Sequence, residues 1–144
     1  MTNTEKCFES FLKRNGINYC TQVEISGCPF TKNKKHKVDF YLPDKDLHVE
    51  VKGQMTLFAT NVLNWLLNYS GKQFYILQMT EEDWIEPFDR VKHKSIQNKK
   101  RMNINKQFTE IVSNTSCELS NESKKRLQSY ISYRNGDIAR WNMP

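Results

Sequence analysis

The chain has 144 residues, of which 38% are hydrophobic and 12% aromatic, enough to bury the core of one domain and inconsistent with a disordered or low-complexity protein. Its 22 Lys and Arg against 16 Asp and Glu leave a net charge of +6, which favours a polyanionic partner, nucleic acid above all. No apolar stretch reaches the roughly 18 residues of a membrane-spanning helix, and the N-terminal residues lack the apolar run of a signal peptide, so the chain is expected inside the cell.

In chain order, residues 4–15 set Cys7, Phe8, Phe11 and Leu12 on one helical stripe, and Asn15-Gly16 is a stop signal. Tyr19, Thr21, Val23 and Ile25 alternate with polar residues, the pattern of a strand. After a loop through Gly27-Cys28-Pro29 come two more strands, 38–42 and 46–52, joined through Pro43-Asp44-Lys45-Asp46, a turn by its Pro and Asp content. Phe58, Val62, Trp65, Leu66 and Tyr69 repeat at three and four residues, which predicts a helix over 56–69 ended by Ser70-Gly71. Gln73 to Met79 reads as a fourth strand. The order αβββαβ implies a mixed sheet, since a helical crossover joins parallel neighbours, with helices on both faces. Thr80-Glu-Glu-Asp suggests an N-capped short helix bearing Trp84, Ile85 and Phe88. Ser113–Ser116 reads as a loop, and 120–133 as a last helix with Leu127, Tyr130 and Ile131 inward and Lys124, Lys125 and Arg126 outward. One domain is expected, with a core over about 1–80 and a helical, basic extension over about 81–144. No repeat or linker marks a second domain.

The residues that carry chemistry lie on the second and third strands. Alternation puts Val38, Phe40 and Leu42 on one face and Asp39 with Tyr41 on the other, while His48, Glu50 and Lys52 lie opposite Leu47, Val49 and Val51. If the strands pair as a hairpin, Asp39 and Glu50 come close, with Lys52 one pleat further on. Two carboxylates suit Mg2+, a hard cation held through one or two carboxylates and substrate phosphate oxygens. A lysine beside them can hold an attacking water or offset charge on a phosphoryl transition state. Asp and Glu are depleted in strands, yet both sit here in apolar β-type runs. The bland alternative is a half-exposed hairpin with ordinary polar positions, since Asp followed by Glu-x-Lys is a degenerate pattern.

A strand Asp, a hairpin and then Glu50-Val51-Lys52 resembles the PD-(D/E)XK, restriction-endonuclease-like nuclease superfamily, with Val38 in place of the motif's proline. Within it, the Val-Glu-Val-Lys-Gly segment and the length are most similar to small phage endonuclease I-type Holliday-junction resolvases. The likeness reaches a first helix, Glu5 to Arg14, that leads into Asn15-Gly16-Ile17, and covers roughly residues 4–78. It implies a restriction-endonuclease-like core and a Mg2+-dependent endodeoxyribonuclease in which Mn2+ substitutes. Asp39, Glu50, the Val51 carbonyl and Glu5 would hold the metal, and Asp39, Glu50, Lys52 and Glu5 would form the catalytic set. Glu9, one turn later, is the fallback for Glu5, and Thr2 with Glu5 also has the spacing of a capping box. The resemblance further implies DNA, duplex or branched, as the substrate, a 5′-phosphate product, a homodimer or higher homo-oligomer and a phage or bacterial setting. Homing, restriction and very-short-patch-type endonucleases share the same core and remain alternatives.

Two basic clusters add to this reading. Lys32, Lys34, Lys35 and Lys37 directly precede the Asp39 strand. Arg90, Lys92, Lys94, Lys99, Lys100 and Arg101 fall within twelve residues uninterrupted by an acid. Both are expected to contact phosphates, which set sequence-independent affinity, although a charge run can also be a solvated loop. His36, His48 and His93 are expected at the surface or behind the site, His48 being singled out because it shares a face with Glu50. Cys7, Cys20, Cys28 and Cys117 make no Cys-x-x-Cys pair and are expected to be buried thiols, and the interval of eight from Cys20 through Cys28 to His36 is not a zinc spacing. The classes that compete with a nuclease are a nucleic-acid-binding module without catalysis and a structural or interaction protein.

Overall fold

The computed structural model describes residues 1–53, 55–78 and 104–141, with side chains described as far as 132. Its order is α1 (Asn3–Arg14), β1 (Cys20–Ser26), β2 (Lys35–Leu42), β3 (Leu47–Lys52), α2 (Leu57–Asn68), β4 (Phe74–Gln78), α3 (helical residues 104–113) and α4 (Ser116–Trp141). The predicted helix after Thr80, the basic cluster from Arg90 to Arg101 and His93 lie outside the described residues.

Local chemistry explains the boundaries of the helices. Thr2 caps α1 by accepting a hydrogen bond from the Glu5 N–H at 3.2 Å. At the other end Ile17 N–H donates to Leu12 O at 2.9 Å and Gly16 N–H to Lys13 O at 3.2 Å, a Schellman closure. That closure needs the left-handed φ of +63° that Gly16 supplies. Thr56 caps α2 through the Ala59 N–H at 3.1 Å. Thr115 and Glu118 cap α4 reciprocally, each side chain accepting from the other's backbone N–H at 3.2–3.3 Å.

The sheet has the order β1-β2-β3-β4, antiparallel among the first three strands and parallel between β3 and β4. Two cores lie on its two faces. Phe8 and Leu12 of α1, Phe108 and Ile111 of α3 and Leu119 of α4 cover Phe40, Leu42, Leu47, Val49, Tyr75 and Leu77. On the other face Val62, Leu63, Leu66 and Leu67 of α2 and Leu127 and Tyr130 of α4 cover Phe74, Ile76, Val38 and Ile25. The protein is thus a mixed α+β fold, a four-stranded mixed sheet flanked by helices with a helical C-terminal part. Each of the larger buried side chains contributes about 1.5–3 kcal/mol of transfer free energy.

Because α4 feeds both cores, it must cross the free edge of β4, and its polar residues there take the place of a fifth strand. Ser123 Oγ accepts from Ile76 N–H at 3.0 Å, and Arg126 donates to Ile76 O at 3.1 Å with its guanidinium 5.0 Å from the centre of the Tyr75 ring. Gln107 of α3 accepts from Gln78 N–H at 3.0 Å and donates to Gln78 O. These bonds pair edge groups that would otherwise be unsatisfied. Lys45 in the β2–β3 turn donates to the carbonyls of Ile111, Val112 and Asn114, closing the C-terminus of α3 with a cation.

Several sequence expectations are corrected. Residues 104–113 form a helix that the sequence pattern does not announce, and α4 begins at Ser116, so the loop is only Asn114-Thr115. Arg126 turns inward because the β4 edge offers it acceptors. The buried stripe of α2 is Ala59, Val62, Leu63, Leu66 and Leu67, which leaves Phe58 and Tyr69 exposed. These five aliphatic positions, at spacings of three, one, three and one, form the stripe that faces the sheet. Among the cysteines only Cys28 is buried; Cys7, Cys20 and Cys117 are exposed free thiols. Val38 does not share a face with Phe40, for a reason that lies at the candidate site.

Candidate active site

The β2–β3 ladder runs from the turn through Leu42 opposite Leu47 and Tyr41 opposite His48 to Phe40 opposite Val49, and there the regular pairing stops. The next residues in register are Asp39 and Glu50, and their side chains take over the bonding. Asp39 N–H donates to Glu50 Oε1 at 3.1 Å, and Val51 N–H donates to Asp39 Oδ2 at 2.9 Å. Each carboxylate therefore replaces a main-chain acceptor of the neighbouring strand, and each keeps its second oxygen free of these bonds.

The strand on the other side is irregular at the same level. The β1–β2 register would set Gln22 opposite Asp39, but pairing lapses between them and Gln22 has a φ of +54°. At this level the facing of β2 changes: Val38, with Ile25 of β1, packs on the α2 side, whereas Phe40 packs on the α1 side. His36, which pairs with Ile25, comes close to Glu50. His36 Nε2 lies 3.2 Å from Glu50 Oε1 without hydrogen-bond geometry.

Glu50 is 2% exposed and Asp39 is half-buried. Burial, followed by the negative charge of Glu50, pushes the Asp39 carboxyl up to about 6. The Val51 N–H opposes that rise, Glu5 adds to it, and Lys52 opposes it more weakly. Glu5 and Lys52 thus both act on Asp39 electrostatically. Asn18, just past the end of α1, bonds Asp44 in the β2–β3 turn at 3.2 Å, and Glu5, in the first turn of that helix, is near enough for its charge to reach Asp39. The Thr2 cap and the proximity to Asp39 are compatible, since the cap uses the Glu5 backbone. Glu9 instead faces Lys13 at 3.7 Å.

The structure therefore brings Asp39, Glu50 and Val51 into contact, with Glu5 and Lys52 around them. His48 lies apart from this group. It is buried between the Tyr41 and Phe74 rings, at 4.5 and 5.0 Å, and burial and then Lys72 push its imidazole below the usual histidine value. His36 takes the place expected of His48, and strand parity could not reveal it because the lapse in β1–β2 pairing has no sequence signature. Lys32, Lys34, Lys35 and Lys37 are all exposed on the β1–β2 loop and the start of β2, which antiparallel pairing sets at the same end of the sheet as the C-terminus of β3. Lys35 faces Glu24 at 3.5 Å.

The donor set fits a hard divalent cation. Among the described residues no three His, Cys, Asp or Glu side chains gather as a complete metal-binding group. Two carboxylates with free oxygens are nonetheless what Mg2+ typically takes from a protein, water and phosphate supplying the rest. Asp39 is raised first by burial and then by the nearby charge of Glu50, and a cation would offset both by favouring the ionised carboxyl. Among the described residues no helix is long and apolar enough to cross a membrane. No family model, no curated protein and no solved structure matches this chain.

Proposed function

We propose that the protein is a divalent-cation-dependent nuclease that hydrolyses phosphodiester bonds in DNA on a restriction-endonuclease-like core. The observation that carries this reading is the exchange of hydrogen bonds between Asp39 and Glu50 where the strand ladder stops. Backbone N–H groups lock both carboxylates, so their free oxygens present a preorganised negative site next to a lysine and beneath a basic loop. A solvated hairpin would have no reason to bury Glu50.

The roles follow from position. Asp39 and Glu50 would hold the cation, joined by the Val51 carbonyl and, from the start of α1, Glu5. When bound, Mg2+, or Mn2+ in its place, supplies Lewis-acid chemistry, activating water and neutralising charge on the phosphate. Lys52 orients the attacking water and offsets the charge that develops on the phosphoryl oxygens. His36 Nε2, 3.2 Å from Glu50 Oε1, stands at the edge of the site. Lys32, Lys34, Lys35 and Lys37 bind flanking phosphates, and Arg90, Lys92, Lys94, Lys99, Lys100 and Arg101 extend the basic footprint along the chain. DNA as substrate, homodimeric assembly and resolution of branched junctions are the finer parts of the reading, supported by the Glu-x-Lys resemblance.

The test is a gel assay on linear duplex, single strand, four-way junction and long duplex, each with and without Mg2+. Glu50→Gln and Lys52→Ala should each cut cleavage about a hundredfold or more while DNA binding persists. Cleavage confined to the junction supports a resolving enzyme, and discrete fragments from the long duplex alone point to a homing or restriction role. Wild-type protein that binds DNA yet cleaves nothing with Mg2+ or Mn2+ would be a binding module, and the proposal would fail.

A further inference from the structure

The end of the sheet that carries Asp39 and Glu50 also carries apolar side chains that stay exposed among the described residues. Leu57 is 80% exposed and Phe58 59%, both in the first turn of α2, which follows the C-terminal end of β3. Phe30, 47% exposed, lies on the β1–β2 loop at that same end. The loop is fixed against α2. Cys28 is buried among α2 residues, and Gly27, at a φ of +106°, approaches so closely that a Cβ there would stand 3.3 Å from the Trp65 ring. Phe30 is therefore exposed on an anchored loop, and Leu57 and Phe58 on the first turn of a packed helix.

The charge around them selects the occupant. No acidic residue occurs from Gly27 to Lys37, and the exposed Lys32, Lys34 and Lys37 make no ion pair among the described residues. A second copy of the chain would bring the same lysines and repel. Exposed rings set among unpaired cations suit a polyanion with accessible apolar faces, which is nucleic acid with its bases unstacked.

We infer that Leu57 and Phe58, with Phe30, form a wedge that inserts against unstacked bases beside the cleaved phosphate, so that the preferred substrate is DNA with an unpaired or poorly stacked site. The placement beside a cleaved bond rests on the nuclease reading. The wedge itself is tested by binding.

The experiment uses the full chain without divalent cation and two duplexes of one sequence, one continuous and one with a single unpaired base next to 2-aminopurine. Wild-type protein should raise the 2-aminopurine fluorescence and prefer the bulged duplex. The double variant Leu57→Ser, Phe58→Ser should lose the rise and about tenfold in affinity for the bulged duplex, keep its affinity for the continuous one, and melt like wild type. Phe58→Trp should preserve the rise. A double variant that keeps both preference and fluorescence overturns the inference, as does one that converts a dimer to a monomer in sedimentation, because the patch would then cover a second copy. Cleavage with Mg2+ is scored separately. Loss of the bulge preference in a protein that never cleaves sinks the nuclease reading and leaves the wedge standing, whereas cleavage with an unaltered preference does the reverse.

Discussion

Asp39 is destabilising at the position where the proposed cation site would need it. Its carboxyl ordinarily titrates at 3.8 but is pushed up to about 6 in the folded protein by burial and by Glu50. The folded state therefore holds that proton more tightly than the unfolded chain does. Below about pH 4 both states are protonated and no penalty exists; between about 4 and 6 stability falls as pH rises, and above 6 the loss is complete. With allowance for solvent screening of a half-exposed group the loss is about 1–2 kcal/mol. Asp39→Asn, which keeps an acceptor for Val51 N–H, should raise the melting temperature at pH 7.5 and leave it unchanged at pH 4. Millimolar Mg2+ should raise the wild-type melting temperature at pH 7.5 and not that of the variant. A variant that melts lower at every pH would mean that the hydrogen bond outweighs the charge. Asp39 and Glu50 are legible as a pair because each interrupts an apolar run, and their proximity follows from hairpin register. The mutual backbone bonds are not legible, since they depend on where the ladder stops.

The helices and strands owe their limits to caps that are local in sequence. The end of α1 requires Gly16 at a positive φ with open space where a Cβ would stand. Gly16→Ala should thus cost about 1 kcal/mol through backbone strain alone, and Gly16→Asn less. Removing the α4 cap with Thr115→Ala should cost a similar amount. Chemical denaturation would show both as lower midpoints with unchanged slopes. Thr115 and Glu118 have the spacing of a capping box, yet the apolar periodicity points to a start at residue 120, because the first turn of α4 contributes few apolar positions. Helix α3 is hard to read for a comparable reason. Ile104, Phe108 and Ile111 have helical spacing, but three apolar residues in so short a segment make a weak stripe, and the closing cation, Lys45, lies far away in the chain.

Across the whole molecule, the basic loop, the apolar first turn of α2 and the acidic pair converge on one end of the sheet because β3 is antiparallel to β2 and is followed by a crossover. If that end binds the phosphate backbone, replacing Lys32, Lys34, Lys35 and Lys37 with Gln should weaken binding to every DNA sequence alike. The slope of log affinity against log salt should fall by roughly 0.9 for each phosphate that the variant no longer neutralises. An unchanged slope would place the DNA elsewhere. By itself the sequence determined the order of the first six elements, the mixed sheet, the hairpin and the acidic pair with its lysine, because periodicity, turn residues and register are short-range consequences of side-chain chemistry. Only the tertiary structure decided which face Val38 and His36 take, since the β1–β2 pairing lapses at Gln22 and Asp39, and Val38 joins the core opposite to that of Phe40. It also decided that α4 crosses the β4 edge and draws Arg126 inward, and that Leu57 and Phe58 stay outside. Those outcomes depend on which surface each helix covers, and that competition is settled by packing between segments far apart in the chain.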